Sequence, residues 1–454
     1  QGVNSIAIGK DSGKTLQGQQ SVAVGTQAGQ TNQAADAIAL GRIAGYSTQG
    51  TGSVAVGLSA GQTTQGANSV AIGSQSGLTT QATQAVAIGN YAGNSTQGSQ
   101  AIAIGKTAGQ TNQGVSSISI GNEAGRNNQS THSVGIGANA GRDNQGAYSL
   151  AIGYLSGNTN QAAYTIAMGH LAGMGSATVG DFQGAQAVAI GNEAGKTTQG
   201  TQSVAVGNYT GRSNQGAAAV AIGQQAGSGS QGGNAVAIGK TSGLSSQGVS
   251  AVAVGYDAGQ TTQGASAVAI GPQAGYSTQG TASVALGSGA GGSLQGNNAV
   301  AIGNIAGSNT QGGDSIAIGR AAANTTQGTN SIALGYFAAQ GSQGGSSVAI
   351  GYTAARNSQG SSAVAIGNTA GRDTQGNSAV AIGWNSGFSS QGGASVAIGL
   401  GAGQTSQGTK SVAIGYIAGQ TSQAANGIII NSTNAALNDT TVGHIHIAST
   451  LASL

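Results

Sequence analysis

The chain contains no cysteine, one proline (Pro272) and few charges: 5% of its 454 residues are Asp, Glu, Lys or Arg, and 3% are aromatic. Without cysteine there is no disulfide framework, thiolate nucleophile or thiolate metal ligand, and the redox compartment stays open. The 13 basic and 10 acidic side chains give a net charge of +3, spread too thinly to track the phosphates of a nucleic acid. No stretch approaches the run of about 18 apolar residues that a transmembrane helix needs. No secretory leader is visible, and the sequence opens on Gln1 in mid-repeat, which places the expected N-terminus upstream.

Glycine, by contrast, is abundant at 86 residues. Collagen needs Gly at every third position with abundant proline, and disorder goes with high charge and few β-branched residues. Neither fits, because Val and Ile recur at a fixed spacing. Aligned on the Gly that ends each VAIG-like string, the series runs from Gly9 to Gly169. Six extra residues within MGSATVGDF (174–182) interrupt it, and it resumes from Gly191 to Gly415. That makes 26 copies of S-V-A-I-G-x-x-A-G-x-T-x-Q-G-x-x at a period of 16, with Ser21 at position 1 and Asp36 at position 16 of one copy. A unit this short cannot hold a helical pair or a propeller blade; it suits one coil of a parallel β-solenoid. The expected fold class is therefore all-β, with one coil per repeat, and at about 4.8 Å per rung the array would reach roughly 125 Å. The expected organisation is a solenoid array over 1–426 and a C-terminal capping or tip segment over 427–454.

Positions 2 and 4 are Val, Ile, Leu or, once, Met168, while position 3 is Ala in 24 copies. A period of two with β-branched residues on one face marks a strand. The Gly at position 5 offers positive φ or close approach of another backbone. GxTxQ reads as a second, shorter arm, with turns at the variable pairs after each Gly. Gln occupies position 13 in all 26 copies, among them Gln17, Gln33, Gln49, Gln65, Gln407 and Gln423. Its expected role is a structural ladder in which each carboxamide donates to and accepts from the next rung. Small residues at positions 1, 3 and 8 make the coil thin enough for Ala and Gln to fill it. Val and Ile then form an outward stripe larger than monomers leave exposed, most simply buried about the three-fold axis of a homotrimer. The competing arrangement is a monomer with Val and Ile inside the coil. Ile429, within GIIIN (427–431), stands where Ala recurs, so the bore is expected to change there and the stack to end.

The recurring NSVAIG and QSVAVG strings, each followed three places on by a small residue, resemble the head repeats of YadA-like, haemagglutinin-type trimeric adhesins. The resemblance covers residues 1–430 and implies a left-handed parallel β-roll. The chain departs from it in having 16 residues per coil with an added Gln-Gly. In this longer form, AIAIGxxAGQTNQG is similar to fibre proteins of phages and large viruses. There a segment like 427–437 closes the array ahead of a tip or self-cleaving chaperone domain. With no coiled-coil stalk or anchor after GIIIN, the resemblance favours a fibre over a bacterial surface adhesin. AGYST (44–48 and 274–278) echoes the ice-nucleation repeat only faintly.

No enzymatic constellation is evident. The ten carboxylates are scattered, and Glu123 with Arg126 and Glu193 with Lys196 read as solvated ion pairs worth at most about 1 kcal/mol each. No phosphate-loop string occurs. His444 and His446, two apart in GHIHIAS, share one face of a presumed strand. In a trimer they would aim six imidazoles at the axis, enough for a transition-metal ion; such His-x-His pairs resemble metal sites at phage fibre tips. No other cofactor is expected. The turns carry the bulky residues, and Tyr336, Phe337, Tyr352, Trp384 and Tyr416 form the densest group, suited to the faces of sugar rings. The expected function is a trimeric fibre or adhesin shaft, on a virion or an extracellular cell surface, that attaches to a host receptor or surface glycan and carries further fibre or tip domains. It neither binds nucleic acid nor inserts into a membrane. The alternatives are an ice-binding solenoid and a filament subunit stacking end to end. Against ice, Asp143, Asp373, Gly229 and Gly341 interrupt one hydroxyl column, and Leu16 and Leu294 interrupt its neighbour.

Overall fold

A computed structural model of the chain describes residues 1–175 and 182–449. It comprises two units, Gln1–Gly233 and Asn234–Leu454, although the consensus does not change where they meet. Each unit is a parallel β-solenoid, and together they carry about 27 turns. The all-β, coil-per-repeat expectation is what the structure shows. In the first unit the long arms are strands from Ile6–Ile8 to Val220–Ile222, and in the second they run from Val236–Ile238 to Ile445–Ala448. Each residue pairs with its equivalent one repeat away, as in Ile6↔Val22 and Val22↔Ile38. The short arms do the same, Thr48↔Thr64 and Gln49↔Gln65.

Backbone bonding between rungs extends through the corners. The amide of Ile43 donates to Thr26 O at 3.0 Å, Gly29 to Ala44 O at 2.9 Å and Asp36 to Gln19 O at 3.0 Å. These bonds hold a tight turn. At position 5 all glycines take φ between 110° and 138°, and a Cβ on Gly351 would lie 2.4 Å from the carbonyl oxygen of Gly367. Both reasons for glycine therefore apply at once. Position 7 takes positive φ in every copy, even as Ile43 (63°) or Phe337 (54°), a conformation that costs a side-chain-bearing residue about 1–2 kcal/mol.

The interior is Ala and Gln. Ala23, Ala28 and their equivalents are fully buried, as is the Gln column. In each coil the carboxamide bridges the bore: Gln33 Nε2 donates to Val22 O at 2.8 Å, Gln65 to Val54 O at 2.8 Å and Gln407 to Val396 O at 2.8 Å. Gln17, Gln49 and Gln423 do likewise, to Ile6, Ile38 and Val412 at 2.9, 2.6 and 2.9 Å. Bonds along the axis exist as well, such as Gln81 Nε2 to Gln97 Oε1 at 3.0 Å and Gln407 to Gln423 at 3.1 Å. They are not continuous, and the Oε1 atoms of Gln17, Gln33, Gln49 and Gln65 have no partner. The principal partner is thus a carbonyl across the coil rather than the next Gln, because the narrow bore brings the long arm within reach of every Gln.

Val and Ile point outward. Strand after strand reads half-buried, buried, half-buried or exposed, and Ile72, Ile190, Ile270 and Ile398 remain 36–38% exposed. The arrangement with Val and Ile inside the coil is not the one adopted.

The six-residue insertion leaves the register intact, with Ile166↔Val188 and Gln161↔Gln183 paired across it. Residues 176–181 lie outside the described residues. At the C-terminal end Ile429 does take the Ala place, paired with Ala413 and packed against Leu437. Asn431, buried beside it, donates through Nδ2 to Tyr416 O at 2.8 Å and Ala435 O at 2.7 Å. The stack does not end there as the sequence suggested: it continues for one more rung, Ile445–Ala448 on Ile428–Asn431, because the backbone edge of 428–431 still finds a parallel partner.

Two substitutions that add the same methyl group separate the glycine roles. Gly371→Ala places Ala at position 9, where Ala339 and Ala355 already adopt φ of 47° and 48°, and it should cost only about 1–2 kcal/mol for the left-handed backbone. Gly351→Ala should lower the unfolding free energy by at least about 1–3 kcal/mol from backbone strain alone, with the clash added; thermal unfolding compares the two. Gln263→Leu orphans the carbonyl of Val252, bonded at 2.7 Å, and should cost about 1–3 kcal/mol in the same assay.

Candidate functional site

Three features of the surface carry chemistry: the aromatic turns, the charged turns and the terminal histidines. Position 6 lies on the corner after the position 5 glycine, so one side chain per rung projects in register with the next. Tyr336 and Tyr352 stack there with centroids 5.3 Å apart and planes 7° from parallel. Phe337 meets Tyr336 edge-on at 4.1 Å. The structure thus brings Tyr336, Phe337 and Tyr352 together. Trp384 and Tyr416 share the column and are exposed, but Asn368 and Leu400 intervene, and among the described residues neither ring touches another aromatic.

Two arginines join this cluster that the sequence reading missed. The Arg320 guanidinium lies 5.5 Å from the Tyr336 ring centroid and 5.9 Å from that of Phe337. Arg356 approaches Phe337 at 5.4 Å, and its Nε donates to Gln340 Oε1 at 3.0 Å. The signal was available as offsets of 16 and 19 residues, which mean the same column or three places on, one rung away. A second aromatic column, at position 16 in the first unit, also went unread: His132, Tyr148 and Tyr164 stack at 5.0 and 5.2 Å. Elsewhere in the second unit, Gly289 and Gly292 remove two side chains from one rung. A surface notch of 380 Å³ opens there between Tyr276, Gln273 and Ile305.

The ion pairs are wider than sequence suggested. Glu123 meets Arg126 at 3.3 Å and, one rung on, Arg142 at 3.2 Å. Glu193 meets Lys196 at 3.1 Å and Arg212 at 2.7 Å. Burial raises the Glu193 pKa, but hydrogen bonds from Lys196 and Arg212 outweigh it and hold the carboxyl below the ordinary range.

The register places His446 opposite Ile429, in the Ala column, while Ile445 and Ile447 continue the aliphatic columns. His444, two residues earlier, shares the face of His446. His444 Nδ1 contacts the Asp439 carboxylate, and His446 Nδ1 lies 3.9 Å from the same oxygen. The imidazoles therefore face away from the side that carries Val and Ile. Among the described residues no three or more metal-ligating side chains gather. Also among them, no helix is long and apolar enough to cross a membrane.

No protein-family model matches the chain, and no curated protein matches it either.

Asp439 organises the terminal rung. The hydrogen bond with His444, seconded by the Thr441 amide, brings its pKa from 3.8 down to about 2. A depressed carboxyl pKa stabilises the fold above the unfolded value and loses that contribution as pH falls through the folded one. The Ile445–Ala448 strand should thus be fully protected above about pH 4 and loosen between about pH 4 and 2. Hydrogen exchange followed by mass spectrometry should show Asp439→Asn lowering the protection of 440–449 at neutral pH, with Val396–Ile398 unchanged.

Proposed function

We propose that this chain is the shaft of a trimeric fibre or adhesin, on a virion or an extracellular cell surface. Its aliphatic columns are buried against two further copies, and its aromatic turns attach to a host receptor or surface glycan. The observation that carries the reading is the direction of Val and Ile. A coil whose core is Ala and Gln leaves two aliphatic side chains per rung on its outer face. In register over many rungs, they form a patch far beyond the few hundred Å² typical of a monomer. Self-association about a three-fold axis buries all three stripes at once, since each copy presents the same columns. On this reading the protein carries out no catalysis; it holds a tip or partner domain at a distance and binds along its corners. Tyr336, Phe337 and Tyr352 form the continuous part of that binding surface, with Trp384 and Tyr416 as separate aromatic contacts.

One observation favours a second reading, an ice-binding solenoid. Thr310, Thr326, Ser342, Ser358, Thr374 and Ser390 pair in register on one outer column, all exposed. Leu294 interrupts that column, and the aliphatic stripe has no part in such a function.

Native mass separates the two. The expected result is a trimer that falls to a monomer, with its β-sheet circular dichroism retained, when Ile238→Lys, Ile270→Lys and Ile398→Lys are combined. A monomeric wild type that shows thermal hysteresis in ice growth would replace the fibre reading with the second.

A further inference from the structure

Lys or Arg at position 10 is ordinarily met by an acid. Lys14, Arg126, Arg142, Lys196, Arg212 and Arg372 each lie within 4 Å of a carboxylate. Arg356 occupies the same position and, among the described residues, has none. The place of its acid is known from the other rungs: Glu123 and Glu193 reach their cations from position 7, three residues earlier. Three residues before Arg356 stands Thr353, only 5% exposed, whose Oγ1 has no hydrogen-bond partner. A buried hydroxyl without a partner is costly, and here it stands where an anion holds the cation elsewhere. Around this gap lie Phe337, between the guanidinium groups of Arg320 and Arg356, and the stacked Tyr336 and Tyr352, the latter 55% exposed.

We propose that this corner is a subsite for an acidic saccharide, which supplies the missing anion. The inference rests on the glycan-attachment reading above and names the class of sugar. The ring of the sugar lies on the exposed Tyr352. Its carboxylate or sulfate oxygens take the free edge of the Arg356 guanidinium, a planar fork that matches two oxygens at once. Arg320 adds a second positive charge. Arg372, already paired with Asp373 at 2.9 Å, is not part of the subsite.

The test is calorimetric titration of the full chain with three oligosaccharides: sulfated heparin-derived, uronate-only hyaluronan-derived, and neutral cellulose-derived. Binding of one or both acidic probes is expected, with affinity falling as NaCl is raised; the heparin and hyaluronan arms distinguish sulfate from carboxylate. Arg356→Gln should weaken that binding roughly tenfold. Thr353→Glu should weaken it as much by supplying the acid internally, without removing any cation or ring. Arg372→Gln should leave it unchanged, and circular dichroism checks that each variant keeps its fold. Equal binding of the neutral probe, unaffected by Arg356→Gln and Thr353→Glu, overturns the acidic subsite and leaves glycan attachment standing. Absence of binding to all three probes overturns both.

Discussion

The width of the coil governs everything else in this protein. Between its two arms there is room for methyl groups and one carboxamide per turn, and among the described residues nothing larger enters until Ile429 at the terminal rungs. A side chain the size of Val therefore has only one place to go, which is outside. A conventional domain hides its aliphatic residues and shows its amides; here Ala23 and Gln33 are inside while Val22 and Val24 are not. Among the described residues of the repeats, Gln is the core side chain long enough to reach across, and it ties the short arm of each coil to the long arm of the same coil. Backbone hydrogen bonds act in the perpendicular direction, joining one coil to the next.

That division explains how a strained corner persists. Positions 5, 7 and 9 all take positive φ, and position 7 does so with residues as unsuited to it as Ile43 and Ile417. The conformation costs free energy in every turn, and it is repeated because the corner amides find carbonyls on the neighbouring rungs. A solitary coil would have no such partners and could not hold the shape. Stability thus resides between neighbours, as in other one-dimensional arrays, and each added rung satisfies the exposed edge of the last.

Much of this was legible in the sequence, for a physical reason: a period of 16 turns chain position into spatial position. The strand alternation, the inward Ala and Gln, the glycine of the first corner and the change at Ile429 all followed from it. What stayed hidden depended on relations that the consensus averages away. The left-handed residue at position 7 could not be read, since its side chains are diverse and only the backbone is constant. The carbonyl partner of Gln33 involves a main-chain atom, which leaves no trace in composition. Arg320, Arg356 and Thr353 were overlooked because each is ordinary within its own repeat and becomes informative only beside the same column of other repeats. His444 and His446 both approach the Asp439 carboxylate, on one face of the last rung. Which face that was depended on the register of the last strand, beyond the final full repeat.

The uninterrupted pairing of Ile166 with Val188 has a consequence for how such a chain can change. A segment was added within one turn, yet the columns on either side remained aligned, so the scaffold and its decoration are specified separately. Whole repeats can be gained or lost by recombination between near-identical stretches of coding sequence, altering reach alone. Loops can be lengthened at a corner, altering what is displayed there. Length and specificity are then free to evolve at different rates in the same molecule.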